Sequence, residues 1–239
     1  MPIYNINSGP RGYFQGKLPC TSQPQYAINA DSTIVGPLPT VLIPAGADNK
    51  SLLLTTLPTL AATSDGLAWS TSGSSAFRVT TLGSVVPLTV VCRFYIPSGA
   101  TGVIASYATT GDQASRLTLE YNGTNLRFRW QVNNEYTTDV AGLVLDRWNT
   151  AVFVIAATDN RRAYVNGVLA GTDTRGSTLL QGPLTKIAVL CDSHYWANTG
   201  TSGLTSGMVS LYGICNLGFS DPLARSVSSN PWSLFANDY

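Results

Sequence analysis

The chain has 239 residues, a formal net charge of +1 and only 11% charged residues, against roughly 25% in ordinary soluble domains, so general electrostatic attraction to nucleic acid or to an anionic membrane has no support. Hydrophobic residues make up 44%, enough for a sizeable core and too many for wholesale disorder. Three lysines and two glutamates among abundant Thr, Ser, Gly and Asn leave few of the residues that favour solvated helix surfaces, which points to a β protein held in an assembly or an extracellular setting.

The N-terminal stretch MPIYNINSGPRGYFQGK has no basic-then-apolar signal pattern, and the intact Met1 argues against a cleaved leader. Residues 1–50 carry seven of the 13 prolines in GPRGYFQGKLPC, TSQPQY and VGPLPTVLIPAG. Proline fixes φ and removes a backbone donor, so this stretch is expected to be an extended assembly arm rather than sheet interior. The remainder, residues 51–239, is read as the folded body. No apolar run approaches the ~20 residues of a membrane-spanning helix.

Within the body the period is two. Leu88, Val90, Cys92 and Phe94 alternate with Thr89, Val91, Arg93 and Tyr95; Leu117, Leu119 and Tyr121 alternate with Arg116, Thr118 and Glu120. Asn122-Gly123 supplies a hairpin turn, because both residues tolerate positive φ. Leu126, Phe128, Trp130 and Val132 return, with Arg127, Arg129 and Gln131 on the other face. Asn133-Asn134 marks a turn. WNTAVFVIAA (148–157), an Asp159-Asn160 turn, RRAYV (161–165), Asn166-Gly167 and VLAG (168–171) form a meander, followed by strands at KIAVLC (186–191) and MVSLYGIC (208–215). One helix is expected, capped by Ser220, with Asp221 and Pro222 in its first turn, Leu223 and Val227 on one face, and Pro231 ending it. Many antiparallel strands without βα alternation specify an all-β sandwich or jelly roll.

DRWNTAVFVIAATDNRRAYVNGVLAGT (146–172) and GMVSLYGICNLGFSDPLARSVSSNPWSLF (207–235) resemble the core and the closing strand, helix and tail of concanavalin A-like, or laminin G-like, jelly-roll domains. The Ser-Asp-Pro-Leu-Ala stretch and the Asn230-Pro231-Trp232…Leu234-Phe235 tail are similar to bacteriophage and bacterial members. The resemblance implies a jelly-roll body, and this fold hosts lectins, glycosidases and structural modules alike. Trp148 and Tyr164 are expected to supply apolar surface to one sheet face, and Trp232 and Phe235 to staple the tail.

The sequence argues against catalysis. Retaining glycoside hydrolysis needs two carboxyls about 5 Å apart, yet neither Glu120 nor Glu135 has a second carboxylate two residues away. Arg116 and Thr118 share the Glu120 face, offering a salt-bridge partner instead. The lone histidine, His194, shares a strand face with Asp192 and not with Ser193, the wrong geometry for a local nucleophile–base pair. Gly16-Lys17 is a false phosphate-loop match, since Arg11 stands where the leading glycine is required. No histidine pair, thiolate cluster or calcium-type loop is present, so no cofactor or metal is expected, and none of the scattered Asp112, Asp173 and Asp192 is assigned to calcium. Asn122-Gly123-Thr124 and Asn49-Lys50-Ser51 fit the N-glycosylation pattern, which matters only in a secretory pathway. Cys20, Cys92, Cys191 and Cys215 form no C-x-x-C pair and read as buried thiols; whether Cys191 and Cys215 pair is open.

Binding or building remains. Trp130, Asn133, Asn134, Glu135 and Tyr136 cluster near one turn, and Asp192, His194, Tyr195 and Trp196 near another; either group suits a glycan platform or a protein interface, with Trp130 as core the alternative. The leading expectation is a structural protein of a bacteriophage virion, a capsid decoration, head fibre or tail-associated subunit. It would anchor by its N-terminal arm to capsid or tail subunits and oligomerise, by analogy as a trimer. The alternative is a carbohydrate-binding, lectin-like module contacting host-surface glycans.

Overall fold

Residue alternation decides where each strand goes. The computed structural model of the protein describes residues 24–29, 41–42, 53–54, 59–64, 66–70, 75–78, 86–109, 115–132, 134–176, 184–190, 203–215 and 217–231. Among them are strands β1 (Pro24–Asn29), β2 (Val41–Leu42), β3 (Leu53–Leu54), β4 (Thr59–Thr63), β5 (Gly66–Ser70), β6 (Ser75–Arg78), β7 (Leu88–Tyr95), β8 (Gly102–Thr109), β9 (Ser115–Tyr121), β10 (Leu126–Val132), β11 (Asn134–Val140), β12 (Trp148–Ala157), β13 (Asn160–Val165), β14 (Val168–Asp173), β15 (Leu184–Val189) and β16 (Met208–Cys215), then helix α1 (Asp221–Ser229). One sheet runs β14-β13-β12-β7-β16-β1-β2, with β5 also on β16 and β4 on β5; the other runs β11-β10-β9-β8-β15-β6-β3. Every strand pair is antiparallel, so the all-β reading holds.

The core lies between the sheets. Leu88, Val90, Cys92 and Phe94 of β7 and Ala151, Phe153 and Ile155 of β12 point inward to meet Leu117, Leu119, Leu126, Phe128 and Trp130 of the smaller sheet. The Phe128 and Phe153 rings stack across the interface at 4.4 Å and 18°. Such aromatics remove ~150–250 Å² each from water and dominate the packing energy. The intervening residues of the larger sheet serve a second cluster: Val91, Val152, Val154, Tyr164 and Leu211 are buried beneath Phe219, Ala224 and Val227. Helix α1 thus covers the outer face of the nine-stranded sheet.

Local details differ from the sequence reading. Asn166 (φ 50) and Gly167 (φ 86) form the expected two-residue turn between Val165 and Val168. The Asn122-Gly123 hairpin instead has a four-residue loop closed by Tyr121 and Leu126, and only Gly123 (φ 93) has positive φ. Asn122 Oδ1 accepts from the backbone N–H groups of Thr124 (2.9 Å) and Asn125 (2.8 Å), and these two bonds hold the wider loop. The β12–β13 turn falls one residue earlier than expected, at Thr158-Asp159, because Ala157 pairs with Asn160. The chain reverses between Val132 and Asn134, as expected, with Asn134 already paired as the first residue of β11 opposite Val132.

Helix α1 has the predicted bounds and Pro231 follows it, but the Ser220 side chain makes no cap hydrogen bond. The Ser220 carbonyl accepts from Ala224 N–H instead, at 2.9 Å. Within the proposed arm, Pro24–Asn29 pairs with β16 as a sheet strand; proline is tolerated at a strand's first residue, where no ladder donor is needed. Apart from β1 and β2, residues 1–50 lie outside the described residues, as do Trp232, Phe235, Cys20 and Cys191. Cys92 is a buried free thiol.

Candidate functional site

Within the first group the structure places Trp130 in its alternative role, as core. Trp130 is 1% exposed; its alternation with Leu126 and Phe128 turns it into the sandwich, so it cannot stack on a ligand. Asn134, Glu135 and Tyr136 lie in β11 at register positions opposite Val132, Gln131 and Trp130. Asn133 and the second group, Asp192, His194, Tyr195 and Trp196, lie outside the described residues.

The same alternation that buries Trp130 turns Glu120, Arg127, Arg129 and Asp139 to the outer face. Register sets Glu120, Arg127 and Asp139 in one row across the three strands, Thr118, Arg129 and Thr137 in the next, and Arg116, Gln131 and Glu135 in the third. Arg127 donates to both oxygens of Asp139, Nε to Oδ1 at 2.7 Å and Nη2 to Oδ2 at 3.3 Å. Arg129 Nη2 donates to Glu120 Oε1 at 2.8 Å, and Arg127 Nη1 lies 3.7 Å from the same oxygen. Asn125 Nδ2 donates to Asp139 Oδ2 at 3.3 Å. Asp139, Arg127, Glu120 and Arg129 thus form an unbroken ion-pair ladder. The Arg127 hydrogen bond holds the Asp139 carboxyl below its ordinary range, outweighing a smaller desolvation effect.

Glu120 therefore takes its cationic partners from the neighbouring strand, by direct and diagonal cross-strand contact, rather than from Arg116 alone. Arg127 and Arg129 were visible in the sequence only as outward residues. Their roles follow once Tyr121 and Leu126 are known to pair, because that register fixes every row. Chemically, the ladder offers alternating N–H donors and carboxylate acceptors with fixed orientation, Arg127 and Asp139 meeting in the planar, bidentate fashion of a guanidinium and a carboxylate.

A second polar and aromatic surface lies on the outer face of the larger sheet. The Tyr95 and Trp148 rings, a cross-strand pair, sit 5.9 Å apart at 58°. Arg93 lies 5.7 Å from the Trp148 ring and donates to Thr150 Oγ1 at 3.1 Å. Trp148 and Tyr164 do share one face, as expected, but their roles separate: Tyr164 is wholly buried under α1 while Trp148 is half-buried.

A third cluster is internal. Arg161, 1% exposed, stacks on Trp130 and lies 3.2 Å from Asp173 Oδ2, and its guanidinium donates to the Thr158 and Arg175 carbonyls at 2.6 Å each. Burial would raise the Asp173 carboxyl, but hydrogen bonds from Arg175 and the charges of Arg161 and Arg175 outweigh it and bring it down to about 2. No group of three or more His, Cys, Asp or Glu converges among the described residues.

A family model described as the Concanavalin A-like lectin/glucanases superfamily matches residues 69–208, which include all of β7–β15. No curated protein matches the chain. Among solved structures it is similar to domain 4 of AbnA, an extracellular arabinanase from Geobacillus stearothermophilus in complex with arabinotriose, at 14% identity and TM-score 0.60, covering 87% of this chain and 98% of that one. The sialidase CBM40 of Ruminococcus gnavus, bound to α2,3-sialyllactose, matches at 14% identity and TM-score 0.52, covering 67% and 96%. The Trypanosoma rangeli sialidase matches at 13% identity and TM-score 0.56; 89% of this chain is covered but only 33% of that enzyme. At these identities the likeness is one of fold.

Proposed function

The chain belongs to the Concanavalin A-like lectin/glucanases superfamily, and from that premise we propose that it is a lectin-like, carbohydrate-binding module that acts without turnover. The carrying observation is the family match over residues 69–208, the segment that also builds the charged outer face of β9, β10 and β11. Two of the structural neighbours carry arabinotriose and sialyllactose, which makes neutral and acidic oligosaccharides the first ligands to try.

On this reading Arg127, Arg129, Glu120 and Asp139 present hydrogen-bonding groups to sugar hydroxyls. A general acid must hold a transferable proton near neutral pH. Asp139, with its carboxyl held low, cannot. Binding is the chemistry that arrangement favours. The test is a broad glycan array, arabinan oligosaccharides and sialyllactose included, followed by Arg127→Ala and Arg129→Ala in calorimetry. A specific hit weakened about tenfold or more by each variant, as loss of a charge-assisted hydrogen bond of ~1.5–3 kcal/mol predicts, supports the face; silence across the array removes the proposal.

A structural role in a bacteriophage virion is the second reading. It rests on the 11% charged composition and on the Ser-Asp-Pro-Leu-Ala and Asn230-Pro231-Trp232 tail. Loss of particle occupancy on deleting residues 1–50 would favour it, and a glycan-binding monomer would not.

A further inference from the structure

Asn-Gly occurs twice in the chain, at Asn122-Gly123 and Asn166-Gly167. A glycine after asparagine has no Cβ to shield its backbone nitrogen, so that nitrogen can attack the asparagine side-chain carbonyl carbon. Exposure does not separate the two sites, since Asn122 and Asn166 are both exposed. Hydrogen bonding does.

At Asn166 the attacking nitrogen and the leaving amide nitrogen are both occupied. The Gly167 N–H donates to Ser228 Oγ at 3.0 Å. Asn166 Nδ2, which would leave as ammonia, donates to Gly142 O at 3.0 Å and Asn149 Oδ1 at 2.9 Å. Its Oδ1 accepts from Thr150 N–H at 3.0 Å. Attack there requires breaking the contacts that join this turn to α1 and to the 142–149 loop.

At Asn122 the arrangement is reversed. No acceptor among the described residues takes the Gly123 N–H or the Asn122 Nδ2 protons. The Asn122 Oδ1 accepts two backbone N–H groups, from Thr124 at 2.9 Å and Asn125 at 2.8 Å. Two donors fixed on a carbonyl oxygen stabilise the negative charge that develops there when its carbon is attacked. The hairpin tip thus holds a free nucleophile, a free leaving group and a polarised electrophile in adjacent residues.

We propose that Asn122 is a self-modifying site that deamidates in the folded protein while Asn166 is protected. The Gly123 nitrogen bonds to Asn122 Cγ and loses its proton to water, water returns a proton to Nδ2, the Cγ–Nδ2 bond breaks, and ammonia departs. Water then opens the five-membered imide at either carbonyl, leaving aspartate or isoaspartate. The product adds one negative charge, taking the formal net charge from +1 to 0, at the tip of the hairpin that carries the Arg127–Glu120 ladder.

The test ages the full-length protein in mildly alkaline buffer, native and in concentrated guanidinium chloride, and follows both peptides by mass mapping. In the native protein Asn122 should convert at least about tenfold faster than Asn166, the factor that one or two hydrogen bonds supply, and in denaturant the two rates should converge. Native rates within a factor of about two, faster conversion at Asn166, inertness at both sites while the denatured samples react, or a difference that persists in denaturant would each overturn the assignment.

Discussion

The Arg161 guanidinium lies 5.5 Å from the centre of the Trp130 ring, a cation laid on an indole face inside a β-sandwich. Both residues are 1% exposed. An arginine can be kept there because two backbone carbonyls and Asp173 accept its donors. Removing one member of a buried ion pair typically costs about 3–5 kcal/mol, and Arg175 stays on Asp173, so Arg161→Met should destabilise by ~3 kcal/mol. Urea unfolding followed by tryptophan fluorescence measures it; a loss below ~0.5 kcal/mol, the scale of an ordinary surface change, would show the cluster to be energetically idle.

Asp173 also sets an acid limit. Its carboxyl falls from an ordinary 3.8 to about 2 in the folded protein. A depressed acid stabilises the fold above its unfolded pKa and loses that contribution as pH drops through its folded value. About 2 kcal/mol should therefore disappear between roughly pH 4 and pH 2. Asp173→Asn should flatten that part of the stability–pH curve, and an unchanged slope would refute the assignment.

Tyr164 anchors the helix to the sheet. Its hydroxyl donates to Asp221 Oδ1 at 2.8 Å, Arg162 pairs with the same carboxylate, and Arg225 lies 5.7 Å from the Tyr164 ring. Tyr164→Phe keeps the ring and loses the bond, so a cost of about 1 kcal/mol is expected. The loss should appear as faster amide exchange in α1 than in β12. Uniform acceleration throughout would place the effect elsewhere.

Cys92 should be inert. Burial between the sheets pushes its thiol far above the ordinary range, and only the thiolate is nucleophilic. A thiol reagent should label Cys92 only on unfolding, which peptide mapping checks; rapid native labelling would mean that the sandwich opens.

A close backbone approach requires glycine at position 102. Gly102 (φ 123) faces the Gly203 carbonyl, and a Cβ on Gly102 would sit 2.2 Å from that oxygen. Gly102→Ala must push the 203–205 segment off β8 and should cost about 1–3 kcal/mol, as overpacking does. Thermal melting reads it, and an unchanged midpoint would show that the segment moves freely.

Much of this was legible in the sequence because it is local. The period of two on either side of Asn122-Gly123 placed Leu117, Leu119, Leu126 and Phe128 inward, and the Asn166-Gly167 turn needed only two adjacent residues with positive φ. Arg161 is legible too, because its alternation with Ala163 and Val165 directs it inward. Pairings of high sequence separation were not. Nothing in β7 announces β16 as its neighbour, and β15 lies between β8 and β6 only because the chain returns after a long excursion. The charged face of β9–β11 fell between the two: its residues were visible as a polar stripe, but the partners of Glu120 depend on a register that the four-residue loop sets.

The two sheets meet along one side, where Arg175 Nη2 donates to the Thr137 carbonyl at 2.8 Å and Thr138 Oγ1 to Asp173 Oδ2 at 3.4 Å. These bonds tie β14, the margin of the larger sheet, to β11, the margin of the smaller. Exposed margins are templates on which foreign strands zip up into fibrils. By sewing two such rims to each other, the molecule denies that side to intruders, and among the described residues the rims left for a companion recruited through strand addition are those of β2, β3 and β4.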